Sequence, residues 1–189
     1  ENIVVDGISA QHPYAALVVA QLSKKAKIYN TQPKLVFVPK QAALDNYNAK
    51  FGNRLFQLEY ETEGNAKWLN KVNVDSLLDT DDLQELKIKY PNKVAIDENS
   101  LVRARLFDLL IGDWDRHAKQ WGWAIENIGD SINAIPLPCD RDNAFFNLEG
   151  ILPTLISNQA FLPEVQSFEK DIDFLPGLIS PFDIYFMRD

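Results

Sequence analysis

The sequence predicts an α+β fold in a single domain, and three observations lead to this prediction. Apolar residues recur at helical spacing in three segments, short runs rich in Val, Leu, Ile and aromatic residues stand between them, and no internal repeat occurs. Of the 189 residues, 46% are hydrophobic and 11% aromatic, which is enough for one packed core. We therefore expect one globular domain over residues 1–189.

The first third of the chain is predicted to contain a helix and two strands. The helix spans residues 9–25, where Pro13 suits the first turn and apolar residues cover most faces. Strands over 34–38 and 55–60 follow, with a short helix or loop over 45–51 between them. The expected order is therefore helix, strand, strand.

Two further helices are predicted in the middle of the chain. One is a polar amphipathic helix that Asp75 caps and that Pro91 stops after about Tyr90. The other begins at the N-cap Ser100 and ends at Gly112, a residue type suited to a left-handed terminator. The buried stripe of this second helix is expected to consist of Leu101, Val102, Leu106, Leu109 and Leu110.

A β-hairpin is predicted next, with arms at 121–125 and 133–137 and a turn at 127–130. Trp114, Trp121 and Trp123 could stack on a base, but large aromatic residues in a hairpin beside a helix more often belong to a core, which is the interpretation we favour. Beyond Gly150 the chain is rich in Leu, Phe and Pro and is expected to form short helices and loops.

Composition excludes several classes of function. The formal charge of -8 argues against binding to nucleic acid or to anionic lipid, since both need a positive field. The single cysteine, Cys139, excludes an internal disulfide and a structural zinc site built on thiolates. No apolar run approaches the length of a membrane span, so a membrane-spanning chain is not expected.

Two acidic motifs dominate the chain. Residues 112–117 (Gly-Asp-Trp-Asp-Arg-His) close an apolar helix, and residues 139–146 (Cys-Asp-Arg-Asp-Asn-Ala-Phe-Phe) close a strand. Carboxylates packed together repel one another, and a bound cation would relieve that repulsion. Because the second arm of the hairpin returns to the start of the first, both motifs are expected to meet at one end of the hairpin. The sequence thus predicts a metal and phosphate site within 112–146.

Some residues of this region have two interpretations. Asp140 is either a second metal ligand or an ion-pair partner of Arg116 or Arg141, and we favour the ion pair. The arginines near the motifs could meet phosphate through their bidentate forks, or could pair with aspartates of the same chain. His12, ahead of Pro13, is expected to be a helix-start residue.

The two motifs resemble those of known enzymes. Residues 115–117 (Asp-Arg-His) followed by 142–145 (Asp-Asn-Ala-Phe) resemble the Asp-Arg-His and Asp-Asn-Gly pair of the atypical kinases. This group comprises the HipA-type toxin kinases, the secretory-pathway protein and glycan kinases, the lipid kinases and the spore-coat CotH kinases. Residues 103–117 and 120–123 also resemble a bacterial family often attached to calcineurin-like phosphoesterase or surface-antigen domains.

The resemblance implies a protein-kinase-like fold, mostly C-lobe with part of the N-lobe. The first helix, the two strands and the residues after Glu59 would be the regulatory-type helix, two N-lobe strands and the hinge. The first N-lobe strands and a glycine-rich loop would lie upstream of Glu1, so we expect a fragment of a longer protein. A domain without those parts would be catalytically incomplete.

The resemblance also implies roles for the motif residues. Asp115 would be the catalytic-loop aspartate that orients the acceptor, with Arg116 beside it and His117 as a scaffold residue that fixes the loop. Metal would be held by Asp142 and, in the place of the loop asparagine, by Gln120.

Further residues would complete this site. Asp140 is the candidate third metal ligand, and Trp114 and Arg141 would contact the nucleotide. The implied cofactor is Mg²⁺ or Mn²⁺ with ATP, and the implied partners are the nucleotide, an unknown acceptor and other domains of the same polypeptide. The family's attached domains suggest the bacterial envelope.

Three functions remain open from the sequence. The first is a metal-dependent phosphotransferase, and the second is a pseudokinase-like binding or regulatory module that keeps the fold without catalysis. The third is a metal-dependent phosphohydrolase, for which His12 and His117 supply few ligands.

Overall fold

The computed structural model describes residues 11–147, 165–172 and 175–187. Within them the fold is α+β, as the sequence predicts, with one two-stranded and one five-stranded sheet. Helix α1 spans Ala15–Lys25 and buries a face of small residues, among them Val19 and Ser23. It begins later than predicted: residues 11–14 form a turn, and residues 9 and 10 lie outside the described part. Small side chains such as alanine face the core, so the helix packs closely against it.

The small sheet confirms the two strands predicted in the first third. Strands β1 (Lys34–Val38) and β2 (Arg54–Leu58) pair antiparallel. A 3₁₀ helix (Ala42–Tyr47) and helix α2 (Asn48–Phe51) connect them. One face of this sheet leaves Phe37 exposed, so the pair covers little of the core.

The large sheet contains the predicted hairpin at its centre. Strands β6 (Trp121–Ile128) and β7 (Ser131–Pro138) pair antiparallel, so that Trp121 lies opposite Pro138. Strand β4 (Val74–Leu78) pairs antiparallel with β6, and the short strand β5 (Val94–Ile96) runs parallel to β7. The edge strand β3 (Gly64–Asn65) pairs with β4, so the order is β3-β4-β6-β7-β5.

The prediction of a helix beginning at Asp75 is wrong for the first turn. Residues Val74–Leu78 form strand β4, and the helix α3 spans Thr80–Lys89. Asp79 caps it, accepting a hydrogen bond from the amide of Asp82 at 2.7 Å. Leu77 is 1% exposed in the sheet, opposite Ala124 of β6. Pairing with a strand distant in sequence therefore overrides the local helical pattern.

Helix α4 spans Glu98–Ile111 and ends at Gly112, whose φ of 64° confirms the predicted left-handed terminator. Its N-cap is Asp97 and not Ser100, which instead donates its amide to the Asp97 carboxylate at 3.0 Å. The predicted stripe is correct for Leu101 but wrong for three residues, since Leu110 is 72% exposed. The three exposed residues are Val102, Leu106 and Leu110, and the buried face contains Leu101, Ala104, Arg105, Phe107, Asp108 and Ile111.

The hairpin tryptophans lie in the core, as predicted. Trp121 stacks on Phe182 with ring centroids 5.0 Å apart, and Trp123 lies 5.1 Å from the ring of Phe186. Both phenylalanines belong to helix α5 (Pro181–Phe186), which follows a 3₁₀ helix at Leu175–Leu178. These elements agree with the short helices expected beyond Gly150. Residues 148–164 lie outside the described part. No helix in the described ranges is long and apolar enough to cross a membrane.

Candidate functional site

The end of α4 and the end of the hairpin converge, as the sequence predicts. The segment after Gly112 returns to the start of β6 through a 3₁₀ helix at Ala118–Gln120. The amide of Cys139, just after β7, donates to the carbonyl of Gln120 at 3.0 Å. The two acidic motifs therefore lie side by side at one edge of the large sheet.

Three aspartates and three amide side chains gather at this edge. The Nε2 atom of Gln120 lies 3.5 Å from Asp115 Oδ2 and 3.4 Å from Asp140 Oδ2. The Nδ2 atom of Asn143 lies 3.4 Å from Asp115 Oδ2. These long contacts join the first motif to the second. We call the set the acidic cluster; it consists of Asp115, Asp140 and Asp142 with the amides of Gln11, Gln120 and Asn143.

Gln11 is a member that sequence reasoning missed. Its Nε2 atom donates to Asn143 Oδ1 at 2.9 Å and lies 3.4 Å from Asp142 Oδ2. Gln11 precedes α1 and is more than 130 positions from its partners, so no local pattern marks it. The only signal is its place at the start of a helix that packs beside the motifs.

Within the acidic cluster, burial and the neighbouring carboxylates raise the pKa of Asp142. The pKa of Asp142 is raised first by burial, then by the charge of Asp140 and a hydrogen bond with it, and further by Asp115. Ionising all three would place like charges together in a partly desolvated edge. A cation at this edge would remove that repulsion, because it compensates each carboxylate at once.

The donor set suits a hard cation, although the side chains are not arranged around one. Among residues 11–147, 165–172 and 175–187, no three acidic, His or Cys side chains are close enough to hold an ion. Gln120 turns its Oε1 atom towards the amide of His117, at 3.4 Å, and its Nε2 atom towards the acids. Rotation of this amide would exchange the two atoms and present an oxygen to the cluster. Carboxylate and amide oxygens are the ligands of Mg²⁺ and Mn²⁺.

His117 and Trp114 lie on the loop that carries Asp115. The Nδ1 atom of His117 accepts a hydrogen bond from the amide of Lys119 at 3.3 Å, which caps the 3₁₀ helix. Trp114 packs edge-to-face against Phe146, with centroids 5.6 Å apart. Both side chains thus hold the loop, and the stacking of Trp114 on a base stays a prediction.

His12 lies at the start of α1, as the sequence predicts. Its Nδ1 atom accepts from the amide of Tyr14 at 3.2 Å, and its carbonyl accepts from Ala15 at 2.9 Å. Its ring approaches Phe145 of the second motif at 6.1 Å. The residue therefore lies in the turn before the helix, next to the acidic cluster.

Arg116 is buried beneath the acidic cluster. Its guanidinium pairs with Asp113, and its Nε atom lies 3.3 Å from Asp108 Oδ2. Its Nη1 atom donates to the carbonyls of Gln120, at 3.1 Å, and Cys139, at 2.7 Å. Burial alone would lower the pKa of Arg116. The two aspartates raise this pKa by more than burial lowers it, so the net shift is upward. Arg116 therefore stays charged and holds both loops from below.

The nucleotide-contacting role predicted for Arg141 does not fit its position. Its Nη2 atom donates to Asp108 Oδ1 at 2.7 Å, and its Nη1 atom donates to Ser23 Oγ at 3.0 Å. The side chain is 5% exposed, and its guanidinium lies 5.0 Å from the Phe107 ring. A guanidinium committed to these buried partners supports α1 and α4, because the contact to Asp108 offsets the cost of desolvation.

The ion pair favoured for Asp140 is also wrong. Arg116 and Arg141 both pair with Asp108, whereas Asp140 is exposed and lies 3.4 Å from the Gln120 amide. Asp140 has a φ of 52°, which is uncommon for a residue other than glycine. Its alternative interpretation as a third metal ligand stays open.

Arg105 extends the buried charges to helix α5. Its Nε and Nη2 atoms donate to the two oxygens of Asp183 at 2.6 and 2.9 Å, and its Nη1 atom donates to Asp108 at 3.0 Å. Three arginines and three aspartates thus form one closed set. We call it the buried ion-pair network; it consists of Arg105, Asp108, Asp113, Arg116, Arg141 and Asp183.

Asp113 makes stability depend on pH. Burial raises the pKa of Asp113 to about 6, an effect that Arg116 opposes and Asp108 reinforces. Between about pH 6 and the usual value of 3.8, the native state binds a proton that the unfolded state does not. The native state therefore gains stability as the pH falls through this window and loses it as the pH rises through 6.

An Asp113→Asn variant tests this titration. The stability of the wild type relative to the variant should increase by up to about 2 kcal/mol as the pH falls from 7.5 to 4.5. Urea unfolding of both proteins at the two pH values measures the change. A difference in stability between wild type and variant that is the same at both pH values would contradict the raised pKa.

Comparison with known proteins adds no assignment: no model of a known protein family matches the chain, and no curated protein sequence matches it significantly.

Proposed function

We propose that this chain is a metal-dependent phosphotransferase-like domain with a kinase-like arrangement of its catalytic and metal loops. The observation that supports the proposal is the convergence of Asp115 and Asp142 from two separate elements onto one edge of the sheet. Phosphoryl transfer needs few protein groups, since catalysis is mostly positioning and neutralisation of charge. The acidic cluster supplies groups of the required kinds.

Each carboxylate has a role in this proposal. Asp115, on the loop after α4, would orient an acceptor hydroxyl and take its proton. Asp142 and Asp140 would hold Mg²⁺ or Mn²⁺, with Gln120 as a further ligand after its amide rotates. The bound ion would neutralise the phosphates of ATP. The roles divide by position, since Asp142 and Asp140 share one loop and Asp115 faces them.

The order of the elements supports the kinase-like arrangement. Helix α1, the strands β1 and β2 and the segment after Glu59 precede the catalytic helix α4, its loop and the hairpin. The amide of Tyr60 donates to the carbonyl of Thr31 at 2.9 Å, so the proposed hinge lies beside the connection that follows α1. This is the sequence of parts that the resemblance implies.

Binding of ATP with Mn²⁺ tests the proposal directly. ATP and Mn²⁺ together should raise the melting temperature of the wild type by about 5–10 °C at saturating concentrations. The Asp142→Ala variant should lose this shift, because it removes a ligand and leaves the core untouched. Differential scanning fluorimetry with and without EDTA measures both.

An Asp130→Ala variant is the matched control. Asp130 is an exposed aspartate in the turn at the far end of the hairpin, so it should keep the shift of the wild type. The proposal is wrong if ATP with Mn²⁺ leaves the wild-type melting temperature unchanged, or if both alanine variants keep the shift.

A pseudokinase-like binding or regulatory module is the second candidate. The buried ion-pair network favours it, because Arg116 and Arg141 serve the fold through Asp108 and need no nucleotide. This candidate predicts no shift with ATP and a loss of stability in Asp115→Ala. The acceptor and the suggested place in the bacterial envelope stay predictions.

A further inference from the structure

Asp108 is the residue on which the buried ion-pair network converges. It is 0% exposed and lies in the third turn of α4. Its Oδ1 atom accepts from Arg141 at 2.7 Å. Its Oδ2 atom accepts from Arg105 at 3.0 Å and lies 3.3 Å from Arg116. One carboxylate thus contacts three arginines from three parts of the fold.

Two of these arginines adjoin the acids of the acidic cluster in sequence. Arg116 directly follows Asp115, and Arg141 lies between Asp140 and Asp142. Each guanidinium forms an ion pair with the same carboxylate, and Arg116 also donates a hydrogen bond to Asp113, so these buried pairs hold the backbone that carries the neighbouring acids. The two loops are therefore placed relative to each other through Asp108.

We propose that Asp108 is a positioning residue that sets the distance between the Asp115 loop and the loop of Asp140 and Asp142. It acts through Arg116 and Arg141 and does so without entering the acidic cluster. The part of this inference that concerns metal affinity rests on the proposed function. The part that concerns loop placement stands on the contacts alone.

Cys139 provides a native reporter of loop placement. It is the single cysteine of the chain, its carbonyl accepts from Arg116, and its amide donates to Gln120. Its thiol is partly buried and lies 3.9 Å from the Thr62 hydroxyl, so the native protein should react slowly with thiol reagents. Release of Arg116 would free the backbone at Cys139 and expose the thiol.

An Asp108→Asn variant is the main test. Its Cys139 should react with an aromatic disulfide reagent on the order of tenfold faster than in the wild type, because the loop opens locally. Its affinity for Mn²⁺, measured from the electron paramagnetic resonance of the free ion, should fall about 10–100-fold, as for other residues that orient metal ligands.

Asp183→Asn is the matched control for a purely structural effect. It breaks the Asp183 contacts of Arg105 in the same network but leaves Asp108 paired with Arg116 and Arg141. Its melting temperature should fall, while its thiol reactivity and Mn²⁺ affinity should match the wild type. Equal thiol reactivity in both variants would overturn the positioning role.

A second variant covers the case in which Asp108→Asn does not fold. Asp108→Glu keeps the charge and moves it by one methylene, so the same two changes are expected with smaller size. If neither variant folds, Asp108 serves folding alone and the proposal is overturned.

The outcomes separate this inference from the proposed function. A wild type that does not bind Mn²⁺ would defeat the phosphotransferase proposal, yet faster thiol reaction in Asp108→Asn would still support loop placement. Unchanged thiol reactivity in a folded Asp108→Asn variant would defeat loop placement, whatever the wild type binds.

Discussion

Replacing Arg116 with methionine should destabilise the protein by about 3–5 kcal/mol, because removal of one partner leaves uncompensated charges in the interior. Arg116 is 3% exposed and contacts Asp108 and Asp113, both buried. Methionine fills a similar volume with an unbranched chain but cannot donate a hydrogen bond. The carbonyls of Gln120 and Cys139 would also lose their donor. Urea unfolding at pH 7.5 measures the loss.

An Arg103→Met variant serves as the control for this prediction. Arg103 is an exposed arginine on the same helix, so its replacement should change the free energy of unfolding by no more than about 0.5 kcal/mol. A loss of under 1 kcal/mol in Arg116→Met would show that the buried pairs contribute little. The network would then be an ordinary consequence of folding and not a requirement for it.

Replacing Trp123 with alanine should lower the free energy of unfolding by about 3–5 kcal/mol, the usual effect of removing a large aromatic side chain from a core. Trp123 is 0% exposed and lies among the rings of Trp121, Phe182 and Phe186. Its Nε1 atom donates to Thr80 Oγ1 at 3.1 Å, so the variant also removes a hydrogen-bond donor from this buried hydroxyl, which keeps its bond to the carbonyl of Ala118. The cavity would separate the hairpin from α5 and α3.

Tyr47→Ala is the comparison for this loss, since Tyr47 is a large aromatic residue that is 65% exposed. It should change stability by no more than about 0.5 kcal/mol. Thermal and urea unfolding followed by tryptophan fluorescence measure both variants. If Trp123→Ala unfolds like the wild type, the stack is not the centre of the core, and its assignment there is wrong.

Local signals predicted much of the fold, and they failed where a distant strand or charge decided the outcome. The hairpin was predictable because its two arms and its turn are adjacent in sequence. The segment beginning at Asp75 was not, because β4 forms by pairing with β6, about fifty positions later. Helical spacing is a weak guide when a sheet edge competes for the same residues.

The buried face of α4 shows the same limit. An apolar stripe was expected, and the helix instead buries Arg105 and Asp108 while exposing Leu106 and Leu110. A pattern based on hydrophobicity assigns charges to the surface, since an unpaired buried charge is costly. The cost is offset here by partners that lie far along the chain, such as Asp183 at 78 positions from Arg105.

The predictions for the candidate site show the same difference between local and distant partners. Sequence reasoning brought Asp115, Gln120 and Asp142 to one edge because a helix end and a hairpin end carry them. It assigned Arg141 to the nucleotide and Asp140 to an ion pair, and it missed Gln11. Local patterns do not reveal partners that are distant in sequence, and Arg141 and Ser23 are 118 positions apart.

By itself the sequence determined that this chain has an α+β fold, a helix that Gly112 ends, a central hairpin and two acidic loops at one edge. These features depend on backbone conformation and on neighbours within a few positions, so local residue types suffice to specify them. Only the tertiary structure decided which charges are buried together and which acids remain open to a cation. That choice depends on desolvation and on the distances between guanidinium and carboxylate groups, which exist only once the elements have packed.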